Sequence, residues 1–254
     1  PWPLFTSIAT FSIGVCAVMF FHHKPYATFA LIFSLVSLLA CMYGWWRNVI
    51  AESQDNVSHN NIVQHGLRLG MGLFIFSEAM FFSAFFASFF HFSLFTPDIL
   101  DGVWSAGKGQ WPPKNLELVD PWNLPLMNTL ILLLSGTSVT WAHHSIMLNN
   151  KKDAASALLY TVILGVSFSI FQIIEYSHIV FKISDGVYPS NFYLTTGFHG
   201  VHVIIGTIFL AICYFRTLKG HFDQPNSHLG FEFAAWYWHF VDVVWLFLFV
   251  FIYL

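Results

Sequence analysis

The chain has 254 residues, of which 56% are hydrophobic and 9% charged, and its mean hydropathy is +0.64. A soluble core of this size cannot shield so many apolar side chains from water, so the composition predicts a membrane protein. The net charge of −3 gives no basic surface for nucleic acid, and we predict no such partner. The three cysteines lie in apolar runs, where neither a disulfide framework nor a cysteine metal site is expected.

Seven apolar segments follow one another along the chain, each close to the roughly 17–25 residues that cross a bilayer. They lie near residues 4–21, 27–46, 67–95, 125–148, 154–181, 191–218 and 232–254. Because neither a repeat nor a soluble segment accompanies them, we predict an all-α membrane protein that forms one membrane domain over residues 1–254. Seven crossings place the two termini on opposite sides of the membrane.

Two polar segments, 47–66 and 96–124, connect the spans on either side of the third. The second of them is rich in tryptophan and proline, including Trp104, Trp111 and Pro121-Trp122, and we expect it to be ordered. The basic residues near the spans are divided six to four between the sides. Arg47, Arg68, Lys151, Lys152, Arg216 and Lys219 fall on the N-terminal side, and Lys24, Lys108, Lys114 and Lys182 on the other. The positive-inside rule therefore mildly favours an N-terminus in the matrix or cytoplasm.

The third span, 67–95, carries one carboxylate, Glu78, near its middle. The residues three and four positions away are all apolar, so its own helix offers it no cation. They are Phe74, Ile75, Phe81 and Phe82. A charge at the centre of a membrane helix costs about 2.5–3.5 kcal/mol on insertion scales. We therefore expect Glu78 to be mostly protonated at neutral pH, and we interpret this Gly-, Ala- and Ser-rich span as the central packed helix.

Polar side chains also recur at three- and four-residue spacing in the last three spans. They are Gln172, Glu175 and His178 on the fifth, His199 and His202 on the sixth, and Glu232, Trp236, His239, Asp242 and Trp245 on the seventh. The strip on the seventh span is expected to face protein. There, His239 and Asp242 are expected to form a structural pair, with a proton-conducting role as the alternative.

Histidines at this spacing could bind haem or a metal. Against that reading, Gly197, Gly200 and Gly206 on the sixth span favour close helix packing, and no metal-binding motif accompanies the histidines. We therefore interpret the intramembrane polar residues as structural, and we predict that this chain has no metal, no haem and no catalytic residue. The structural set is Glu175, His199, His202, His239 and Asp242.

Long blocks of the chain closely resemble subunit III of the haem-copper cytochrome c oxidases. They are WWRNVIAES, FIFSEAMFFSAFF, DPWNLPLMNTLILLLSG, VTWAHHS, TTGFHGVHVIIGT and GFEFAAWYWHFVDVVWLFLFVFIYL. The resemblance covers nearly the whole chain and implies a non-catalytic core subunit, with haem a and copper in partner subunits I and II. It also implies a V-shaped, phospholipid-filled cleft between helices 1–2 and helices 3–7. The implied role is support of proton uptake into subunit I and protection of that subunit from inactivation during turnover.

Site residues also follow from the resemblance, position by position. Glu78 matches the family's buried membrane carboxylate. Residues around the lipid head groups are matched by Trp46, Glu52, His59, Arg68 and Arg216. Ala51 stands where the mitochondrial pattern has a basic residue, so one head-group contact is expected to be missing. An arginine near a span end can hold a phosphate bidentately, and interfacial snorkelling is the alternative role for Arg68 and Arg216.

Two rival functions and two membranes are compatible with these residues. A transporter or proton channel would use Glu78, Glu175 and Asp242, but it should show broken helices or an inverted repeat, and the sequence shows neither. A membrane cytochrome would use the histidines. The resemblance applies to both the mitochondrial inner membrane, which we favour, and the bacterial cytoplasmic membrane.

Overall fold

The computed structural model describes residues 1–54, 60–95, 111–112, 116–222 and 228–254. Seven α-helices follow in order: α1 (Trp2–Phe21), α2 (Ala27–Glu52), α3 (Asn61–Leu94), α4 (Leu124–Met147), α5 (Lys151–His178), α6 (Val187–Leu218) and α7 (Leu229–Leu248). A short 3-10 helix, Ile183–Asp185, precedes α6, and a π-helix, Phe249–Tyr253, continues α7. All seven α-helices are long and apolar enough to cross a membrane, and the described residues contain no strand, which confirms the predicted all-α membrane class.

Two expectations concern residues that the structure does not describe. His59 is one of them, and residues 96–110 and 113–115 of the loop rich in tryptophan and proline are the others. The predicted order of that loop and the predicted role of His59 therefore stay predictions. Of the loop's described residues, Trp111 packs edge-on against Phe89 and Tyr188, with ring centroids 5.4 Å from each.

Two helices extend well beyond the apolar segments. α2 continues to Glu52 and α3 begins at Asn61, whereas the apolar pattern ends near 46 and resumes near 67. With 34 residues at about 1.5 Å each, α3 is longer than the roughly 30 Å hydrocarbon core. A helix can continue into the polar interface because its backbone hydrogen bonds are internal. The Asn60 side chain caps the start of α3, since its Oδ1 accepts from the Val63 N–H at 2.9 Å.

The chain divides into two compact units, Pro1–His65 and Gly66–Leu254. In the first unit, α1 and α2 pack as an antiparallel pair. The indole of Trp2 lies directly over Gly44, where a side chain would collide with the ring. Deeper in the pair, Cys16 Sγ lies 3.5 Å from Ser34 Oγ.

In the second unit, α7 and α4 carry the most deeply buried faces. Two α7 indoles donate to hydroxyls of α4: Trp238 Nε1 to Ser135 Oγ at 2.9 Å, and Trp245 Nε1 to Thr129 Oγ1 at 2.8 Å. The hydroxyls of Ser138 on α4 and Thr161 on α5 lie 2.8 Å apart. Hydrogen bonds of this kind hold membrane helices in register, because lipid offers a polar group no alternative partner.

The interpretation of α3 as the central packed helix is wrong for the second unit. Of residues 66–94, only Phe82 and Phe89 are buried, and the helix packs through long aromatic side chains. Phe74 stacks on Tyr237 of α7, and Phe90 meets Phe251 of the π-helix edge-on at 5.1 Å. A helix that is apolar all round is as stable against lipid as against protein, so composition alone does not locate it at the centre.

Candidate functional site

Glu78 on α3 contacts His202 on α6. Its Oε2 lies 3.0 Å from Nε2 of the imidazole, and the two side chains are 23% and 12% exposed. Aromatic rings surround the imidazole: Phe82 lies edge-on at 5.0 Å, and Tyr237 of α7 stacks at 6.3 Å. Glu78 thus has the partner that its own helix cannot supply.

The second nitrogen of His202 determines how many protons the pair holds. Nδ1 lies 2.7 Å from the carbonyl oxygen of Phe198, which can only accept, so Nδ1 carries a hydrogen. The contact between Nε2 and the carboxyl group then needs one proton of its own. Either His202 is an imidazolium beside a carboxylate, or a neutral His202 accepts from a protonated Glu78. In both forms the pair is electrically neutral and shares one proton.

Arg68 forms a bidentate ion pair with Glu232 at the start of α7. Its Nε lies 3.1 Å from Oε1, and its Nη2 lies 3.0 Å from Oε2. The arginine side chain is 38% exposed and the glutamate 15%. The two residues are 164 positions apart, so the helical register within one span could not predict that they pair.

Arg216, near the end of α6, is buried rather than exposed at the interface. It is 9% exposed, its guanidinium carbon lies 4.6 Å above the Phe222 ring, and Gly230 leaves room for its Nη1. In the connection after α6, the pKa of His221 is lowered by partial burial and by the charges of Arg216 and Lys219. Both arginines therefore lie against residues at the α7 N-terminus, but only Arg68 is substantially exposed.

The remaining lipid candidates with described positions belong to the first unit. Trp46 is 54% exposed, and Glu52, the last residue of α2, is exposed as well. Both lie near one end of α2, and an indole is common at a membrane boundary.

The polar strip of α7 is only partly turned toward protein. Asp242 and Trp245 are buried, whereas Trp236 is 37% exposed and the His239 side chain 47%. His239 Nδ1 and Asp242 Oδ2 are 3.9 Å apart, too far for a hydrogen bond, and His239 Nε2 instead lies 3.3 Å from Thr140 Oγ1. The strip is thus only partly buried within this chain, because three- and four-residue steps do not return to the same angle on a helix. The expectation that the whole strip faces protein stays a prediction.

The other two predicted structural residues are deeply buried. His199 donates from Nε2 to the Val241 carbonyl oxygen at 3.2 Å, with its ring beside Trp245. Glu175 accepts a hydrogen bond from the Tyr253 hydroxyl at 2.6 Å. No three His, Cys, Asp or Glu side chains within the described ranges are placed to hold a metal ion, and the three cysteines are free.

Comparisons with known proteins give one consistent family. Residues 1–254 match the family Cytochrome c oxidase subunit III. A protein of Rickettsia bellii named probable cytochrome c oxidase subunit 3 is 55% identical over 255 residues, covering 100% of this chain and 92% of that protein. Cytochrome c oxidase subunit 3 of Prototheca wickerhamii is 53% identical, covering 100% and 94%, and that of Arabidopsis thaliana is 50% identical, covering 100% and 92%.

Proposed function

The chain belongs to the cytochrome c oxidase subunit III family, and on that premise we propose that it is a non-catalytic core subunit of cytochrome c oxidase. In that complex, electrons pass from cytochrome c to oxygen and protons are translocated. The chain would bind subunits I and II, which hold haem a and copper, and would stabilise subunit I, its proton uptake and bound phospholipid. The observation that carries the proposal is a family match that includes all seven spans.

The contacts of the buried polar groups support a scaffolding role. Glu78 is linked to His202, Trp238 to Ser135, and Trp245 to Thr129, and each link joins two different helices. Links between helices fix the positions of the apolar faces that the bundle presents to its surroundings. A subunit that stabilises a neighbouring membrane protein needs such fixed faces.

We propose Arg68 as the principal lipid contact of the second unit. The bond to Glu232 uses Nε and Nη2, so a phosphate would meet the guanidinium at its Nη1 edge. Arg216, Trp46, Glu52 and His59 remain proposed head-group residues on the family resemblance. Arg216 is buried over Phe222, so we expect it to contribute less than Arg68 to head-group binding. The phospholipid-filled cleft between helices 1–2 and 3–7 stays a prediction.

We further propose that the membrane is the mitochondrial inner membrane, with the bacterial cytoplasmic membrane as the alternative, and that the N-terminus lies on the matrix or cytoplasmic side. Relatives of similar identity come from Rickettsia and from Arabidopsis, so identity does not separate the two membranes. Protease accessibility of a tag at the N-terminus, in sealed vesicles of known orientation, tests the topology.

Removing the chain from the complex tests the supporting role. The depleted oxidase should begin oxygen reduction at close to the normal rate and then lose activity during turnover, whereas the complete complex stays active. Reconstitution with the chain should restore the lifetime. Complete loss of the first turnovers would assign the chain a direct catalytic role, and an undiminished, stable rate would remove the proposed function.

A further inference from the structure

Three buried polar residues at the end of the second unit remote from Arg68 carry atoms that take no part in the contacts described above. They are Asn128 on α4 and Gln172 and Glu175 on α5, which are 0%, 5% and 2% exposed. Glu175 Oε1 accepts from Tyr253 at 2.6 Å and from Gln172 Nε2 at 3.4 Å. That oxygen is therefore fully supplied with donors.

Four other polar atoms of the same residues have no hydrogen-bond partner among the residues that the structure describes. They are Oδ1 and Nδ2 of Asn128, Oε1 of Gln172 and Oε2 of Glu175. More than nine in ten buried polar groups in native proteins have a partner, so four orphans on three residues are well beyond ordinary scatter. The number of unpaired atoms does not depend on which way round the Asn128 amide is placed, since both its nitrogen and its oxygen lack a partner.

The register of α4 and α5 places these atoms at one depth. The two helices are antiparallel neighbours, and Ser138 contacts Thr161 at 2.8 Å. Asn128 lies ten residues before Ser138, and Gln172 lies eleven residues after Thr161. At about 1.5 Å per residue both are displaced by roughly 15–17 Å in the same direction. Glu175 follows one turn further on, and α4 also packs against the π-helix that carries Tyr253.

We propose that Asn128, Gln172 and Glu175 form a buried water-binding site between α4 and α5, closed by Tyr253. Water fits the unpaired atoms because it both donates and accepts. One water can donate to Gln172 Oε1 and Glu175 Oε2 while it accepts from Asn128 Nδ2, and a second water can donate to the fourth atom, Asn128 Oδ1. Buried waters typically make about three such bonds to groups that have no other partner. The site joins α4, α5 and the C-terminal π-helix, which the Tyr188 hydroxyl also contacts at the Ile252 carbonyl, 3.4 Å away.

An experimental structure of the full chain with its bound subunits, at a resolution that shows ordered water, tests the site directly. The expected result is density within hydrogen-bonding distance of all three side chains, which is absent in the Asn128→Leu protein. Direct closure of the three side chains on one another, or a main-chain partner from elsewhere in the chain, would overturn the proposal.

The stability of the same variant gives a second test whose sign differs between a wet and a dry site. If water links the three residues, Asn128→Leu removes the bridge, leaves Gln172 and Glu175 unpaired, and lowers Tm by roughly 2–4 °C or more. If the site is dry, leucine replaces an unpaired buried amide of similar volume and raises Tm. Met127→Leu, on the 48% exposed neighbouring residue, is the matched control and should leave Tm unchanged.

Discussion

The single-residue feature with the clearest chemical consequence is the proton shared by Glu78 and His202. Nδ1 of His202 donates its hydrogen to the Phe198 carbonyl oxygen. Removing the proton shared with Glu78 would therefore leave two acceptors, Nε2 and Oε2, facing each other at 3.0 Å among aromatic rings. The sequence predicts a protonated Glu78 but does not indicate its partner, since His202 lies on another helix, 124 residues away.

Glu78→Gln should preserve assembly and most of the initial electron transfer of the oxidase. The glutamine amide can still donate to Nε2 of a neutral His202, so the link between α3 and α6 persists. Glu78→Ala should do more damage, because it leaves Nε2 unpaired at a cost of about 1–3 kcal/mol and opens a cavity. Immediate and complete loss of turnover in Glu78→Gln, with subunit I intact, would instead make Glu78 an obligatory part of the proton path.

The infrared spectrum shows which partner holds the shared proton. We predict a protonated carboxyl band that disappears in Glu78→Gln, because the two groups meet among aromatic rings, where a neutral hydrogen-bonded pair is favoured over an ion pair. The matched variant His202→Gln should shift this band, since it changes the acceptor. Carboxylate bands in place of the carboxyl band would assign the proton to His202.

Replacing Arg68 tests the lipid contact. Arg68→Gln should lower the amount of anionic phospholipid that copurifies, because it removes the charge-assisted bond to phosphate. Arg216→Gln should have a smaller effect, since Arg216 is 9% exposed, and the double variant should resemble Arg68→Gln. Lys152→Gln, an exposed charge at the start of α5, serves as the control. The same phospholipid content in the three arginine variants as in the Lys152→Gln control would refute the proposed lipid contact.

At the scale of the helices, the glycines of α6 predicted close packing with a neighbouring helix. In the structure, Gly206 makes such a close contact and Gly200 does not. A side chain at Gly206 would lie 2.8 Å from the ring of Trp238, whereas nothing lies within 4 Å of a side chain at Gly200. The sequence could not separate these two glycines, because the position of Trp238 depends on how α7 docks. It could predict seven spans, since their lengths and hydropathy are local properties.

Gly206→Ala should therefore destabilise the chain, and Gly200→Ala should not. The added methyl group at position 206 forces Trp238 away from Ser135, and overpacking of this kind typically costs about 1–3 kcal/mol. At position 200 the methyl group meets open space, and alanine favours the helix over glycine. Thermal unfolding of the two purified variants measures the difference. A lower Tm for Gly200→Ala than for Gly206→Ala would contradict the packing at α7.

Lipid also explains why the sequence misjudged α3. In a soluble protein an all-apolar helix must be covered by protein, but a bilayer solvates such a helix equally well. The informative residues of a membrane helix are therefore its polar ones, and Glu78 did indicate correctly that α3 needs a polar neighbour. Which helix provides that neighbour, and which strip of α7 is buried, depends on tertiary packing that no single span encodes.

At the scale of the whole molecule, the second unit is a bundle whose buried polar groups link its helices, and it carries extended apolar faces. Many large apolar residues of α4 to α7 are exposed at the surface of the chain, among them Leu130, Ile173 and Phe247. Lipid and neighbouring membrane subunits are the surroundings in which such faces are stable. These faces suit a subunit of a larger membrane complex.

Purification through an affinity tag on this chain, after mild solubilisation of its native membranes, tests the central claim most directly. We predict that haem a, copper and cytochrome c-dependent oxygen consumption elute with the tag in constant proportion, and that removing subunits I and II leaves the chain free of haem and copper. Elution of the chain without a haem-copper partner, or metal retained by the isolated chain in stoichiometric amount, would contradict the account.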